Sequence, residues 1–366
     1  MASGPAPDSN RVPRSQQIAG VLRERIRTSH EPGDRLSSEV KFADEFGVST
    51  LTIREALAFL VQEGRVVRRR GSGTYVAETA QAEFVAILTQ LDTIHQNTSY
   101  FFQLLTQQVC DQARAQGLPY RLYHGYGNTD VTPLDSFGEA GSNLVGAIND
   151  GDVRGIIALN ADARGRWHAV AKDRGLPLVG HGRVYDHSVR ISNADLAQQG
   201  VEYLYNCGRR RLALIGWGGP IVSAPFREAL DTFGLAARDA WIRVDRHPCG
   251  PGAGYHSLQE IWAAAGRKPD GLVVTDEVLF DSAVPAILEL GISVPDDLMV
   301  IRHANRGMGG FAPFPVARLE IDPAAIASGM LGLYRELADH GTAQPPHRLV
   351  LPKLVVEQAD TADASP

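Results

Sequence analysis

The chain has 366 residues, 44% of them hydrophobic and 21% charged, with a net charge of −6. That length suits two or three domains of roughly 150 residues, and that apolar share excludes a disordered chain. No apolar run reaches the ~18 residues that a membrane span needs. The polar, Pro-rich start, Met1 to Arg14, lacks the apolar stretch of a secretory signal. Three scattered cysteines, Cys110, Cys207 and Cys249, suit neither a disulfide framework nor a zinc site. The expectation is a cytoplasmic protein with no membrane partner, no metal and no cofactor.

Charge is unevenly spread. Residues 1–78 carry 12 Lys+Arg against 10 Asp+Glu, and the remaining residues carry 24 against 32. A mildly basic head therefore precedes an acidic body, and Arg68, Arg69 and Arg70 are consecutive within the head.

Residues 1–13 read as a disordered tail. Ile18, Val21, Leu22 and Ile26 then recur at helical spacing. Glu31-Pro32-Gly33-Asp34 breaks that helix, because Pro lacks an amide hydrogen and Pro-Gly favours a turn. A second helix fits Ser38 to Phe46, with Gly47 as its stop. Ser49 caps a third helix, whose Ile53, Ala56, Leu57 and Leu60 form one apolar stripe and which Gly64 ends. Arg65 to Arg70 and Thr74 to Ala77 read as strands joined by Gly71-Ser72-Gly73. Three helices and a small hairpin make a winged helix-turn-helix over residues 14–77.

Residues 78–83 read as a linker. Beyond it, short apolar runs alternate with helical patterns: Phe84–Leu91, Gly155–Leu159, Leu176–Gly180, Leu212–Trp217, Gly271–Thr275 and Asp297–Ile301. That alternation predicts βαβ units and parallel sheets. A stretch of this length, 84–360, is best met by two α/β lobes with a cleft between them, followed by a short tail, 361–366.

The third helix of such a head lies in the DNA major groove with its first turn toward base edges. Ser49, Thr50, Thr52 and Arg54 fill that turn; short hydroxyls suit phosphate oxygens, and Arg54 suits guanine or phosphate. Arg70, Gly71 and Gly73 form the wing tip, where glycines let the backbone approach DNA closely. Arg35, Ser38 and Lys41 lie beside the second helix and track the DNA backbone. In the body, ligands of open parallel sheets bind beyond the carboxyl ends of strands. Asp276 and Glu277 follow one predicted strand and Asn160 another. His181 and Arg183 follow a third, Arg302 and His303 a fourth, and Asn97, Tyr100 and Phe101 open the first helix of the body. Asn193 stands near the next turn. Carboxylates, amides and Arg suit sugar hydroxyls, and aromatic faces suit the apolar side of a sugar. No GxxxxGK[ST], HExxH or GxSxG motif occurs, and the adjacent Asp276-Glu277 pair is not an opposed acid–base pair, so no catalytic residue is expected.

Gln16 to Val76 resembles the DNA-binding domain of the GntR family. The residues that carry the likeness are Pro32-Gly33, Leu36-Ser37-Ser38-Glu39, Gly47-Val48-Ser49, Ile53-Arg54-Glu55-Ala56-Leu57 and Gly71-Ser72-Gly73-Thr74. Thr50 stands where the family usually has Arg, and Ser37 where it usually has Pro. Residues 176–183, 201–217, 269–305 and 349–358 resemble in order and spacing the effector domains of LacI-type repressors and periplasmic sugar-binding proteins. The combination is similar to a subgroup typified by arabinose-responsive repressors. It implies a homodimeric repressor that binds double-stranded operator DNA under control of a sugar or sugar-derived effector. It also implies Asp276 on the ligand hydroxyls, Arg183 on the ligand, and Tyr100 and Phe101 as stacking groups. Asn160, Asn193 and His303 complete the expected effector set. The competing expectation is a solute-binding sensor without operator-specific DNA binding.

Overall fold

A computed structural model describes residues 13–77, 83–90, 99–125, 138–161, 163, 165–308 and 312–356. The expected tails apart from Pro13, nearly all of the linker, and Asn97 lie outside the described residues.

The head contains α1 (Arg14–Ser29), α2 (Glu39–Phe46), α3 (Thr50–Gln62), β1 (Val66–Arg69) and β2 (Gly73–Val76). Ser38 caps α2 by accepting a hydrogen bond from the Lys41 amide, and Gly47 ends it in the left-handed conformation. Ser49 caps α3 by accepting from the Thr52 amide. Ile53, Ala56, Leu57 and Leu60 are each 0% exposed. They meet Ile18, Ala19, Leu22 and Ile26 of α1 in one apolar core. The strands pair antiparallel, Val66 opposite Val76 and Arg69 opposite Gly73. Arg35 adds an isolated bridge to Tyr75, which ties the loop before α2 to the wing.

The chain divides into two compact units, residues 1–84 with 145–154, and the remainder. Within the first unit, buried Arg65 pairs with Glu63 and Asp152, and Arg23 holds Glu63 at 2.7 Å.

Beyond the head the elements run β3 (Phe84–Gln90), α4 (Tyr100–Ala115), β4 (Tyr120–Gly125), α5 (Gly138–Asn149), β5 (Val153–Asn160), α6 (Arg166–Asp173), β6 (Leu178–His181) and β7 (Ser188–Ile191). There follow α7 (Asn193–Asn206), β8 (Leu212–Ile215), α8 (Pro220–Thr232), β9 (Ile242–Arg243), α9 (Ala253–Ala263), β10 (Gly271–Val274) and α10 (Glu277–Glu289). The last are β11 (Met299–Asn305), β12 (Ala317–Ile321), α11 (Pro323–His340), β13 (His347–Val350) and β14 (Lys353–Val355). Two six-stranded sheets result, ordered β13-β7-β6-β5-β3-β4 and β14-β12-β11-β10-β8-β9. The recorded pairings are parallel except that of β14 with β12.

The chain therefore passes from the first lobe to the second after β7. It returns with α11, which packs in the first core, and crosses again between β13 and β14. In the second sheet, side chains alternate between two cores: Leu212 and Leu214 enter one, Ala213 and Ile215 the other. Parallel strands covered on both faces explain the continuous apolar runs in the sequence.

Most strand boundaries shift by one or two residues from expectation, and three of the shifts have a clear cause or consequence. β6 begins at Leu178, because Pro177 offers no amide and only its carbonyl is used, by the Ile156 amide. β8 ends at Ile215, which leaves Trp217 beyond the strand. β11 starts only at Met299, since Asp297 is held in a turn where its carboxylate accepts from the Ser293 amide at 3.0 Å. It then runs on to Asn305, so Arg302 and His303 lie within the strand, not after it.

Candidate functional site

The head presents a groove of about 810 Å³ between the start of α2 and the wing. Arg35, Ser38, Lys41, Arg70, Gly71 and Gly73 all line it, together with Arg68 and Arg69. The geometry thus gathers six of the ten expected DNA contacts on one concave, cationic surface. The other four, Ser49, Thr50, Thr52 and Arg54, occupy the cap and first turn of α3. Thr50 and Arg54 are exposed, whereas the Thr52 hydroxyl is 2.9 Å from Ser49 Oγ, so that pair is committed to the cap.

Glu39 is a feature that sequence reasoning missed. Its Oε2 accepts from Arg54 Nη2 at 3.1 Å, and its Oε1 from Arg68 Nη2 at 3.1 Å. Arg68 also donates to the Arg54 carbonyl at 3.4 Å. One carboxylate at the start of α2 therefore joins the recognition helix to the wing, and aligns two guanidinium groups before any DNA arrives. These pairs are exposed, so each contributes a few tenths of a kcal/mol at most. At the wing, Arg69 lies 4.7 Å over the Tyr75 ring, and the Tyr75 hydroxyl is 2.6 Å from Ser72 Oγ. Gly73 adopts φ +129°, and a Cβ there would stand 3.0 Å from Arg35 Nε, so only glycine lets Arg35 pass.

The body places its polar side chains where parallel sheets place ligands, at the carboxyl ends of strands. On the first lobe these are Asn160, whose Nδ2 donates to the Gln90 carbonyl at 2.8 Å, and Arg183, exposed just after β6. The Tyr185 hydroxyl donates to the Ala161 carbonyl at 2.6 Å and fixes the loop that carries Arg183. On the second lobe they are Asp276, Glu277, His303 and Asn305. Asp276 caps α10, its Oδ1 accepting from the Val278 and Leu279 amides at 2.9 Å each. One oxygen is thus already spent on local structure.

Ser99, at the start of the first-lobe helix α4, donates to Glu277 Oε1 at 2.6 Å. The other Glu277 oxygen is 3.2 Å from His303 Nδ1. This bridge joins the two lobes; Glu277 stands with Asp276 among the strand-end carboxylates expected from the sequence, whereas Ser99 was not expected. Burial of the Asp276 carboxyl group, then the neighbouring Glu277 charge, pushes Asp276 up to about 7. Burial works against ionised Glu277 too, but the His303 and Ser99 bonds outweigh it and hold Glu277 at about 2. The adjacent carboxyls therefore divide: Glu277 keeps the charge and Asp276 keeps the proton longer. His303 Nε2 and Asn305 Oδ1 are buried without a hydrogen-bond partner among the described residues. Such atoms ordinarily have partners.

Aromatic groups divide in the same way. Tyr100 is 51% exposed, while Phe101 is 4% exposed in the first-lobe core, 5.0 Å from the Phe102 ring and 5.2 Å from His181. Phe101 thus packs rather than faces a ligand. Burial pulls the His181 imidazole down to about 4, so it is neutral at neutral pH. Asn193 is the first residue of α7, partly exposed at the crossing between lobes. Trp217, 40% exposed just past β8 and 4.9 Å from the His247 ring, is an aromatic platform on the second lobe. Taking it as a strand residue concealed it in the sequence. Among the described residues, no helix is long and apolar enough to cross a membrane, and no group of three or more His, Cys, Asp and Glu is placed to hold a metal.

Comparisons with known proteins follow these two parts. Residues 14–76 match the family described as "Bacterial regulatory proteins, gntR family", and residues 201–358 match "Periplasmic binding protein-like domain". The mannosyl-D-glycerate transport/metabolism system repressor MngR of Escherichia coli is 42% identical over 81 residues, which are 22% of this chain and 34% of that protein. An uncharacterised HTH-type transcriptional regulator in the aml 5′ region of Streptomyces limosus is 28% identical over 268 residues, covering 68% of this chain and 72% of that one. The chain spans between about a quarter and a half of the length of four such curated relatives. A solved complex of transcriptional regulator CelR with cellobiose superposes with a TM-score of 0.61 at 17% identity, covering 88% of this chain and 99% of that one. That likeness is one of fold.

Proposed function

We propose that this chain, which joins a gntR-family DNA-binding head to a periplasmic-binding-protein-like body, is a sequence-specific transcriptional repressor whose operator binding is set by a small-molecule effector. The observation that carries this reading is the head's arrangement. A cationic groove between α2 and a glycine-tipped wing stands in the same head as exposed Thr50 and Arg54 on the first turn of α3, and Glu39 pairs with both Arg54 and Arg68. The relatives point the same way, since MngR, 42% identical over 81 residues, is named a repressor.

In this reading Thr50, Arg54 and neighbouring Leu51 face base edges, while Arg35, Lys41 and Arg70 hold phosphates. A homodimer presents two heads to an inverted-repeat site. The effector sits between the lobes, on Asn160, Arg183, Asp276 and His303, with Trp217 stacking on an apolar sugar face. Control is a matter of linkage: the effector binds one DNA-binding state better than the other, typically by 1–3 kcal/mol. In the repressor reading, that state releases DNA.

The test is a pair of variants on the full chain. Arg54→Ala weakens operator binding by at least ~10-fold and leaves effector binding unchanged. Asp276→Ala binds operator as the natural chain does but no longer responds to effector. Full response in Asp276→Ala contradicts the assignment of the cleft. Unchanged operator affinity in Arg54→Ala contradicts the assignment of the head.

A further inference from the structure

We propose that Arg183 and Arg190 form a seat for a negatively charged group, so that the effector is a polyol bearing a carboxylate or a phosphate ester. This inference rests on reading the cleft as the effector site and names the chemical class that site takes.

Strand register brings the two arginines together. β6 and β7 pair with Gly180 opposite Ser188 and His181 opposite Val189. Continuing the pairing by one residue sets Arg190 beside Gly182, next to Arg183, at the carboxyl end of the first-lobe sheet. Gly180 is what lets the loop fold back this closely, since a Cβ there would stand 1.9 Å from the Tyr185 ring.

Neither arginine's side chain has an ion pair or hydrogen bond among the described residues, although the body is rich in carboxylates and many of its arginines are paired, for example Arg243 with Glu260 and Arg348 with Glu336. Arg190 is partly buried, and its Nε is enclosed with no hydrogen-bond partner. Burial, and then the charge of Arg183, pull the Arg190 guanidinium below its ordinary value. A half-buried cation held beside a second cation is unfavourable in the free protein. An anion relieves both costs at once, and a pair of guanidinium forks matches the planar oxygens of a carboxylate or the face of a phosphate.

The second lobe supplies the complementary end. The adjacent Asp276 and Glu277 carboxyl groups, with His303, suit hydroxyl groups rather than a second anion. A ligand with hydroxyls at one end and an acid at the other therefore has its polarity matched by the two lobes.

The experiment measures binding to the full chain without DNA, by calorimetry and thermal unfolding. The probes are glucose, gluconate, glucuronate, glucose 6-phosphate and inorganic phosphate. The expected result is saturable binding of at least one acidic probe, with glucose bound at least ~10-fold more weakly. Arg190→Gln and Arg183→Gln are each expected to weaken the acidic probe by ~10-fold or more, the size of a lost charged hydrogen bond. Arg183 is exposed, so its variant folds even where the Arg190 variant is damaged. Gluconate and glucuronate against glucose 6-phosphate and inorganic phosphate tell a carboxylate from a phosphate. The inference is overturned when no acidic probe binds, when glucose binds as tightly, or when both Arg variants bind like the natural chain. Asp276→Ala separates the two levels. An acidic probe bound equally well by Arg183→Gln and Arg190→Gln but lost by Asp276→Ala overturns the anion seat and keeps the cleft. Binding indifferent to all three substitutions removes the cleft itself.

Discussion

Asp276 and Glu277 illustrate how adjacent like residues acquire different chemistry. Glu277 is fixed by Ser99 and His303 and stays ionised, whereas Asp276 is enclosed beside that charge and caps a helix. The sign of the pH effect follows. Asp276 has a folded value above its unfolded one, so the folded state binds the extra proton and stability falls as pH rises from about 4 toward about 7. Glu277 has a depressed folded value, so its contribution is lost only as pH falls through the range between the unfolded carboxylate value and about 2. Thermal unfolding of the ligand-free chain between pH 5 and 7.5 is therefore expected to show a midpoint that declines with pH, and Asp276→Asn is expected to flatten that decline. A slope unchanged in Asp276→Asn would assign it to another group. Asp276 and His303 were visible in the sequence because they follow apolar runs. Glu277 was visible for the same reason as Asp276, but its bonds to Ser99 and His303, and the packing of Trp217 on His247, join segments far apart in the chain, and no local pattern carries that information.

At the scale of elements, most of the head was legible. Pro32-Gly33, Gly47 and Gly64 punctuate it, and caps at Ser38 and Ser49 start its helices. Ser49→Ala is expected to cost about 1 kcal/mol of head stability, the usual worth of a cap, read as a lower unfolding midpoint. In the body, the first strand start, Phe84, was read correctly. Edge strands β13 and β14 were missed: β13 alternates exposed and half-buried residues, and β14 is only three residues long with two of them exposed. The overrun of β8 and the misplacement of β11 have separate causes, the apolar Trp217 beyond one and the Asp297 turn before the other. Gly180 supports a sharp test of the first-lobe rim. Gly180→Ala forces a Cβ into the Tyr185 ring and is expected to destabilise the protein by ~1–3 kcal/mol. It also displaces the Tyr185 bond to Ala161, so effector affinity falls with it. An unaltered affinity and midpoint would show that the loop has room the geometry does not indicate.

At the scale of the whole chain, a mildly basic head precedes an acidic body. In the proposed reading the head's cations meet phosphates, so operator affinity is expected to fall steeply with salt, with a log–log slope of ~0.9 per phosphate contact. Arg70→Ala should lower that slope by about one while weakening all DNA sequences alike. Arg54→Ala should relax sequence preference instead. The most direct measurement is selection of fragments from the source genome on the purified full chain, followed by sequencing, with Arg54→Ala in parallel. The account predicts a shared inverted-repeat motif captured by the natural chain and lost with Arg54→Ala. Capture of no common sequence, or of the same fragments by both proteins, would contradict it.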